Sequence, residues 1–335
     1  AKRDVIARLA TDGFSGAITV STLAEARYFA ERGFADILYG VGIAPRKLDD
    51  VLALRRAGAD VHVLCDAPET AHAIAAAAAA DDAGLSAFVE IDSGQARAGY
   101  VPGDPGIVDV ARILASAPGV AFRGVLTHPG HSYRCRGAEE VRVVAEGERA
   151  ALLAAAGAIR DAGIACPVVS AGSTPTAACG ERFEGLTELR PGVYMFMDVD
   201  QAGIGACTLD DVAISVLATV IGRSAARGTV LVDAGGLALS KDVRALGHTP
   251  WAGYGVVADA PVPQMAVTGV SQEHGIVSAP GGPLPLDALP VGSRLRILPH
   301  HACFTAAAYE RYHVVDSDAD GGREVVDVWE RVNGW

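Results

Sequence analysis

The sequence predicts an α/β protein in two parts: a (β/α)8 barrel over residues 1–205, followed by a mainly β domain over 206–335. Three observations carry this. Short β-branched or apolar runs alternate with longer Ala-, Leu- and Arg-rich stretches up to about Gly205. The texture then changes to strand-like runs separated by Gly/Pro-rich turns. With 335 residues, half of them hydrophobic, the chain can bury two cores.

The extended runs of the first part are Ala17–Ser21, Asp36–Tyr39, Val61–Leu64, Phe88–Asp92, Gly124–His128, Val168–Ser170 and Val193–Phe196. Helical patterns lie around and between them, at Lys2–Ala10, Leu23–Arg32, Arg46–Ala57, Pro68–Ala80, Ile107–Ala115 and Ala138–Ala162. Strict strand–helix alternation requires a parallel sheet with helices outside, because each crossover must return to the same edge. A (β/α)8 barrel needs one strand more than the seven visible, and since Lys2–Ala10 reads as a helix, the eighth is expected ahead of Ala1. An open doubly wound sheet is the runner-up, weakened because no Gly-rich dinucleotide turn follows a first strand. In the second part the extended runs are Val212–Ile221, Val230–Asp233, Tyr254–Val257 and Leu295–Leu298.

Composition excludes several functions. A net charge of −12 offers no basic face to displace counterions from a nucleic acid. The Ala75–Ala80 run is too short to cross a bilayer. Six cysteines scattered singly do not form a disulfide framework, and a cytoplasmic setting is expected.

Polar residues at the C-terminal ends of barrel strands are the candidates for chemistry. Asp92–Gly99 follows the Phe88 strand and Thr127–Tyr133 follows the Gly124 strand. Ser170-Ala171-Gly172-Ser173-Thr174 ends a strand and opens a helix; its small residues and hydroxyls suit an anion such as phosphate, although the same pattern serves as an ordinary helix cap. Glu188–Tyr194 spans the last barrel strand.

Near the C-terminus, Leu298-Pro299-His300-His301-Ala302-Cys303 places an imidazole and a thiol two positions apart. On an extended segment both face one side, where they would clip a divalent ion, zinc before manganese or magnesium, leaving open positions for water or substrate. The alternative is a buried cysteine with a histidine that merely packs. His300, on the opposite face, is expected to lie behind the clip or at the surface.

With these motifs on the page, the whole chain resembles the fold type III enzymes that use pyridoxal 5'-phosphate. Within them it resembles the metal-assisted branch of D-serine dehydratases, D-threo-3-hydroxyaspartate dehydratases and D-threonine aldolases. The resemblance runs from Ile18–Ala26 through Pro299–Cys303 to Trp329–Trp335. It implies an alanine-racemase-like barrel with a β domain, a homodimer, and a D-β-hydroxy amino acid as substrate. It implies that Ser170, Gly172, Ser173 and Thr174, with the backbone of Gly192 and Val193, hold the cofactor phosphate, that Tyr194 touches the phosphate or packs beside it, that His128 packs against the pyridine ring, and that Arg190 faces the ring nitrogen. Tyr133, Arg97 and, less directly, His131 would line the reactive side. The family's Schiff-base lysine sits in a Lys-Thr-x-Lys arrangement whose second lysine aligns with Lys2, so the cofactor lysine is expected upstream of Ala1, with Lys2 as the fallback. In the resemblance, dehydratases pair His with Cys at the metal and aldolases pair His with a carboxylate, so Cys303 favours elimination of water over Cα–Cβ cleavage. A racemase or a non-catalytic carrier of the cofactor would not need the His301–Cys303 pair.

Overall fold

The computed structural model describes residues 2–242 and 253–334. Its contacts gather into two units. One comprises Lys2–His131, Arg142–Pro191 and the chain from Arg311 onward; the other comprises Ser132–Val141 and Gly192–Glu310. The division therefore does not fall at a single point near residue 205. The last residues join the first unit, where Val332 N–H bonds to Lys2 O at 3.0 Å and the Arg3 guanidinium reaches Glu330 O.

The first unit is built on seven parallel strands in sequential order: β1 (Ile18–Val20), β2 (Asp36–Gly42), β3 (Asp60–Cys65), β4 (Leu85–Glu90), β5 (Val120–Leu126), β6 (Val168–Ala171) and β7 (Glu188–Leu189). The helices are α1 (Asp4–Ala10), α2 (Leu23–Ala30), α3 (Leu48–Arg56), α4 (Pro68–Ala79), α5 (Gly106–Ser116), α6 (Ala138–Asp161) and α7 (Thr174–Cys179). Six of the seven predicted strands are found in place. The seventh is corrected: Val193–Phe196 is not a strand, since Val193–Met195 forms a 3-10 turn and β7 lies earlier. Pro191 has no N–H to give a ladder, so Pro191-Gly192 ends the strand. The expected eighth strand lies outside the described residues.

Side-chain alternation divides the sheet into two faces. Ile37, Val61, Val63, Ala87, Val89, Val125 and Val169 pack with Val51, Ile74, Val110, Leu152 and Ile159 of the helices in one large cluster. The opposite, inner face holds a small apolar layer of Leu38, Leu64, Phe88 and Leu126, with Val168 against it. Two residues earlier along β2, β3 and β4, the same face carries Asp36, His62 and Ser86. The ring of His62, 3% exposed, lies 2.7 Å from Ser86 Oγ and 2.9 Å from Asp36 Oδ1. Two residues later, the same face becomes polar again with Asp66, Glu90, His128 and Ser170. The apolar layer thus separates this polar cluster, in which His62 and Ser86 are buried and Asp36 is exposed, from the strand ends where chemistry was expected.

In the second unit, β8 (Val216–Ser224), β9 (Thr229–Val232), β10 (Gly255–Val257), β11 (Ala266–Val270), β12 (Gly275–Ser278) and β13 (Arg294–Pro299) close into an antiparallel barrel in the order β10-β11-β12-β9-β8-β13. Ala218, Val220, Val230, Val232, Val267, Val277, Leu295 and Ile297 fill it. The sequence reading passed over β11 and β12, which are short and interrupted by Gly269 and Gly275. This unit also carries α8 (Val199–Ile204), α9 (Gly236–Leu239) and α10 (Ala302–Ala307). The hairpin β14 (Arg311–Val315) with β15 (Val325–Glu330) belongs to the first unit. Among the described residues no helix is long and apolar enough to cross a membrane.

The Asp36–His62–Ser86 cluster generates a stability test. His62→Ala is expected to cost about 1–3 kcal/mol, because it leaves the buried Ser86 hydroxyl without its partner. The hydrogen bond from His62 holds the Asp36 carboxyl below its usual range. Its contribution is therefore complete above about pH 4, near the unfolded carboxyl's value, and is lost as pH falls through the lower folded value. The stability difference between the native chain and Asp36→Asn in urea unfolding should be full at pH 7 and shrink as the pH falls below about 4.

Candidate active site

At the C-terminal ends of β5, β6 and β7 the first unit assembles a compact polar group. Arg190 follows β7 on the inner face. Its Nε donates to Ser170 Oγ at 2.8 Å, its Nη2 donates to Thr127 O, and the Glu188 carboxylate stands 3.7 Å away. Ser170, fully buried, in turn donates its hydroxyl to Glu188. Burial pulls the Arg190 pKa down, while Glu188, Glu148 and Glu90 hold it up; a guanidinium remains charged in either case. The sequence-predicted residues Arg190, Ser170, His128 and Gly172 are brought together here.

The turn after β6 is pinned on every side. Arg190 N–H bonds to Ala171 O at 2.9 Å, Gly172 N–H donates to Glu148 Oε1 at 2.6 Å, and His128 Nδ1 lies 3.2 Å from Gly172 O. Gly172 has φ +130°, and a Cβ there would sit 2.5 Å from Arg190 N, so only glycine fits. Ser173 caps α7: its Oγ accepts from Thr176 N–H at 3.3 Å, and its own N–H donates to Thr176 Oγ1 at 3.2 Å. Ser173 and Thr174 are both buried.

Beyond β4, Asp92 shapes the next loop by accepting from the N–H groups of Gly94 and Ala96, and Asp66 accepts from Gly99 N–H at 2.8 Å. This presents Arg97, 53% exposed, with Nη2 3.8 Å from the buried carboxylate of Glu90. Burial pushes the Glu90 pKa up and Arg97 opposes that rise. His131 stands against Gly94, its Nε2 3.3 Å from where a Cβ would be. Lys2 forms an ion pair with the buried Glu25, which also accepts from Ser21 N–H at 2.7 Å.

The remaining predicted residues belong to the second unit. Tyr133 is half-buried in the short Gly130–Arg134 turn, and Arg134 and Arg136 beside it are exposed. Gly192 precedes the Val193–Met195 turn, with Val193 buried and Tyr194 exposed.

The His301–Cys303 segment is not extended as expected. β13 stops at Pro299, His301 is the N-cap of α10, and Cys303 is in that helix's first turn. The cause is Asp198, whose Oδ2 accepts from Ala302 N–H at 2.8 Å while its Oδ1 caps α8 through Gln201 N–H at 2.9 Å. Asp200 N–H also bonds to His300 O at 3.2 Å. His301 Nδ1 lies 2.5 Å from Asp242 Oδ2, leaving Nε2 as the nitrogen for a metal, and Cys303 is exposed. Among the described residues no group of three or more metal-ligating side chains is present. His300 is buried rather than at the surface, and burial, reinforced by His301, pushes its pKa down to about 4. It is a neutral packing residue of this unit.

Sequence reasoning missed Glu90, Glu148, Asp198 and Asp242. Asp198 had a signal, an Asp three residues before Gln201 at a helix start. Asp242 had none, because its partner lies 59 residues away.

Comparison with known proteins identifies relatives of both parts of the chain. Residues 4–200 match the alanine racemase N-terminal domain, and residues 213–315, which include His301 and Cys303, match a serine dehydratase domain. The D-threo-3-hydroxyaspartate dehydratase of Delftia sp. is 43% identical over 96% of this chain and 85% of its own length. The chain belongs to the fold type III, pyridoxal-phosphate-dependent family with the alanine-racemase-like fold. The solved structure of that dehydratase superposes on all of this chain and 89% of its own, with 42% identity and a TM-score of 0.93. Another family member, D-threonine aldolase from Filomicrobium marinum, covers 97% of this chain and 84% of its own at 27% identity and a TM-score of 0.81. A cysteine-to-alanine mutant of the Delftia enzyme has been solved in its metal-free form.

Gly172→Ala tests the pinned turn. The added methyl meets Arg190 backbone, and the strained φ alone costs about 1–3 kcal/mol. Thermal unfolding should show a clear drop in Tm, whereas Gly137→Ala, whose Cβ meets nothing within 4 Å, should lose only the strain share.

Proposed function

We propose that this protein is a pyridoxal-phosphate- and divalent-metal-dependent lyase that removes water from D-β-hydroxy amino acids, giving a 2-oxo acid and ammonia. D-threo-3-hydroxyaspartate and D-serine are the leading substrates. The observation that carries the reading is the buried Arg190 at the strand ends, with its guanidinium fixed by Thr127, Ser170 and Glu188.

The donor chemistry of both sites fits the groups the family uses. For the cofactor, the first unit offers an imidazole, a guanidinium and the hydroxyls of Ser170, Ser173 and Thr174. For a borderline divalent metal such as zinc, the second unit offers an imidazole and a thiol. The contact from Asp242 fixes the tautomer and orientation of the His301 ring, the usual arrangement behind a metal-bound histidine.

When bound, pyridoxal phosphate supplies the electron sink that makes the Cα proton removable. Ser173 and Thr174 would hold its phosphate. His128 would lie against the ring, oriented through Gly172 O. Arg190 would face the ring nitrogen and disfavour its protonation, because a fixed positive charge opposes another beside it. Arg97, oriented by Glu90, and His131 would face the reacting side, binding substrate oxygens and excluding water. A divalent ion on His301 and Cys303 supplies Lewis-acid stabilisation of the departing hydroxide. A homodimer is the proposed assembly and the cytoplasm the proposed compartment. Lys2, held by Glu25, stands as the fallback for the cofactor lysine.

The products decide the reaction. D-threo-3-hydroxyaspartate or D-serine should give oxaloacetate or pyruvate with equimolar ammonia. Glycine and acetaldehyde from D-threonine as the main outcome would assign the aldolase reaction instead. Cys303→Ala, or treatment with a chelator, should lower turnover by about 100-fold or more, since a lost Lewis acid is worth several kcal/mol. The absorbance of the bound cofactor should persist. Full turnover without metal would remove the metal from the proposal.

A further inference from the structure

Helix α6 carries a regular buried stripe: Val141, Ala145, Leu152, Ala155, Ala156 and Ile159. Their spacing of three and four residues marks one face of a helix, and the same stripe contains Glu148, only 3% exposed. A carboxylate in an apolar seam loses its hydration, and burial pushes the Glu148 pKa up. Such a residue is compensated only where hydrogen bonds replace the lost water.

The replacements come from the turn after β6, from the start of α7 and from the residue after β7. Gly172 N–H donates to Glu148 Oε1 at 2.6 Å, the Thr176 side chain is a second hydrogen-bond partner, and Arg190 contributes a nearby positive charge. The Ala171–Gly172 peptide is thereby held at both ends, its carbonyl by Arg190 N–H and its N–H by Glu148. The next carbonyl, Gly172 O, is held by His128. Without Glu148 the peptide would be held only at its carbonyl, and the Gly172 N–H would lose the acceptor that the described contacts give it. That peptide leads directly into Ser173 and Thr174.

We propose that Glu148 is a positioning residue for the phosphate-binding turn, holding Gly172-Ser173-Thr174 in the conformation that grips the cofactor phosphate. This rests on the reading of that turn as the phosphate site. Glu148 acts through the turn's backbone and touches neither substrate nor cofactor.

Glu148→Met tests the inference while preserving the packing of the stripe, since a straight apolar side chain suits the seam. Apoprotein is titrated with pyridoxal 5'-phosphate and, separately, with pyridoxal, which lacks the phosphate, and binding is followed by quenching of tryptophan fluorescence. The variant should keep the native Tm or exceed it, yet bind pyridoxal 5'-phosphate about 10-fold more weakly, with pyridoxal affinity unchanged within about twofold. Glu148→Gln, whose amide oxygen still accepts from Gly172 N–H, should recover most of the loss. Thr176→Val should weaken the phosphorylated ligand in the same direction but less. An unchanged ratio of the two affinities in Glu148→Met, or a parallel loss of both, overturns the role of Glu148. Equal affinities for the two ligands in the unaltered protein would instead overturn the reading of the turn, and this inference with it.

Discussion

The buried guanidinium of Arg190 is the constraint around which the first unit is arranged. An arginine cannot shed its charge when buried, so the surroundings must supply acceptors at the right angles. Thr127 O comes from the end of β5, Ser170 from β6 and Glu188 from β7, so the side chain ties three neighbouring strand ends together. Its backbone also sets the turn after β6, because only a glycine at 172 can approach Arg190 N so closely. One residue thus fixes the register of the last strands, the shape of the turn and the sign of the charge at the strand ends.

The second unit solves a different problem in a comparable way. Asp198 uses its two oxygens to start two helices, α8 and α10, and so settles where His301 and Cys303 stand. Asp242 then aligns the His301 ring. Thr305 bonds to Leu239 O at 2.9 Å and Tyr309 to Ala238 O at 3.1 Å, tying α10 to the segment that leads to Asp242. Placing the thiol on a helix rather than a strand leaves it exposed.

What the sequence disclosed follows from the range of the forces involved. Parallel strands buried on both faces leave apolar runs that are visible locally, as Val61–Leu64 and Val168–Ser170 were. The seventh strand was displaced because Val193-Tyr194-Met195-Phe196 has strand composition, while Pro191 and the Asp198 cap, which decide the outcome, act from outside it. The His301–Cys303 geometry failed for the same reason, since its determinant is an aspartate more than a hundred residues earlier. Arg190, Ser170, Gly172 and His128 were found because strand ends are where such folds keep their chemistry. Glu148 was legible in principle, as a carboxylate in an apolar helical stripe, but its meaning depended on a turn 24 residues away.

The central claim is that a fixed positive charge, Arg190, faces the ring nitrogen of the bound cofactor. The direct measurement is the 15N chemical shift of ring-labelled pyridoxal phosphate bound to the protein, followed across the pH range in which the fold is stable. The account predicts the signature of an unprotonated pyridine nitrogen throughout, since a second positive charge beside the guanidinium is disfavoured. A protonated pyridinium signal near neutral pH would contradict it.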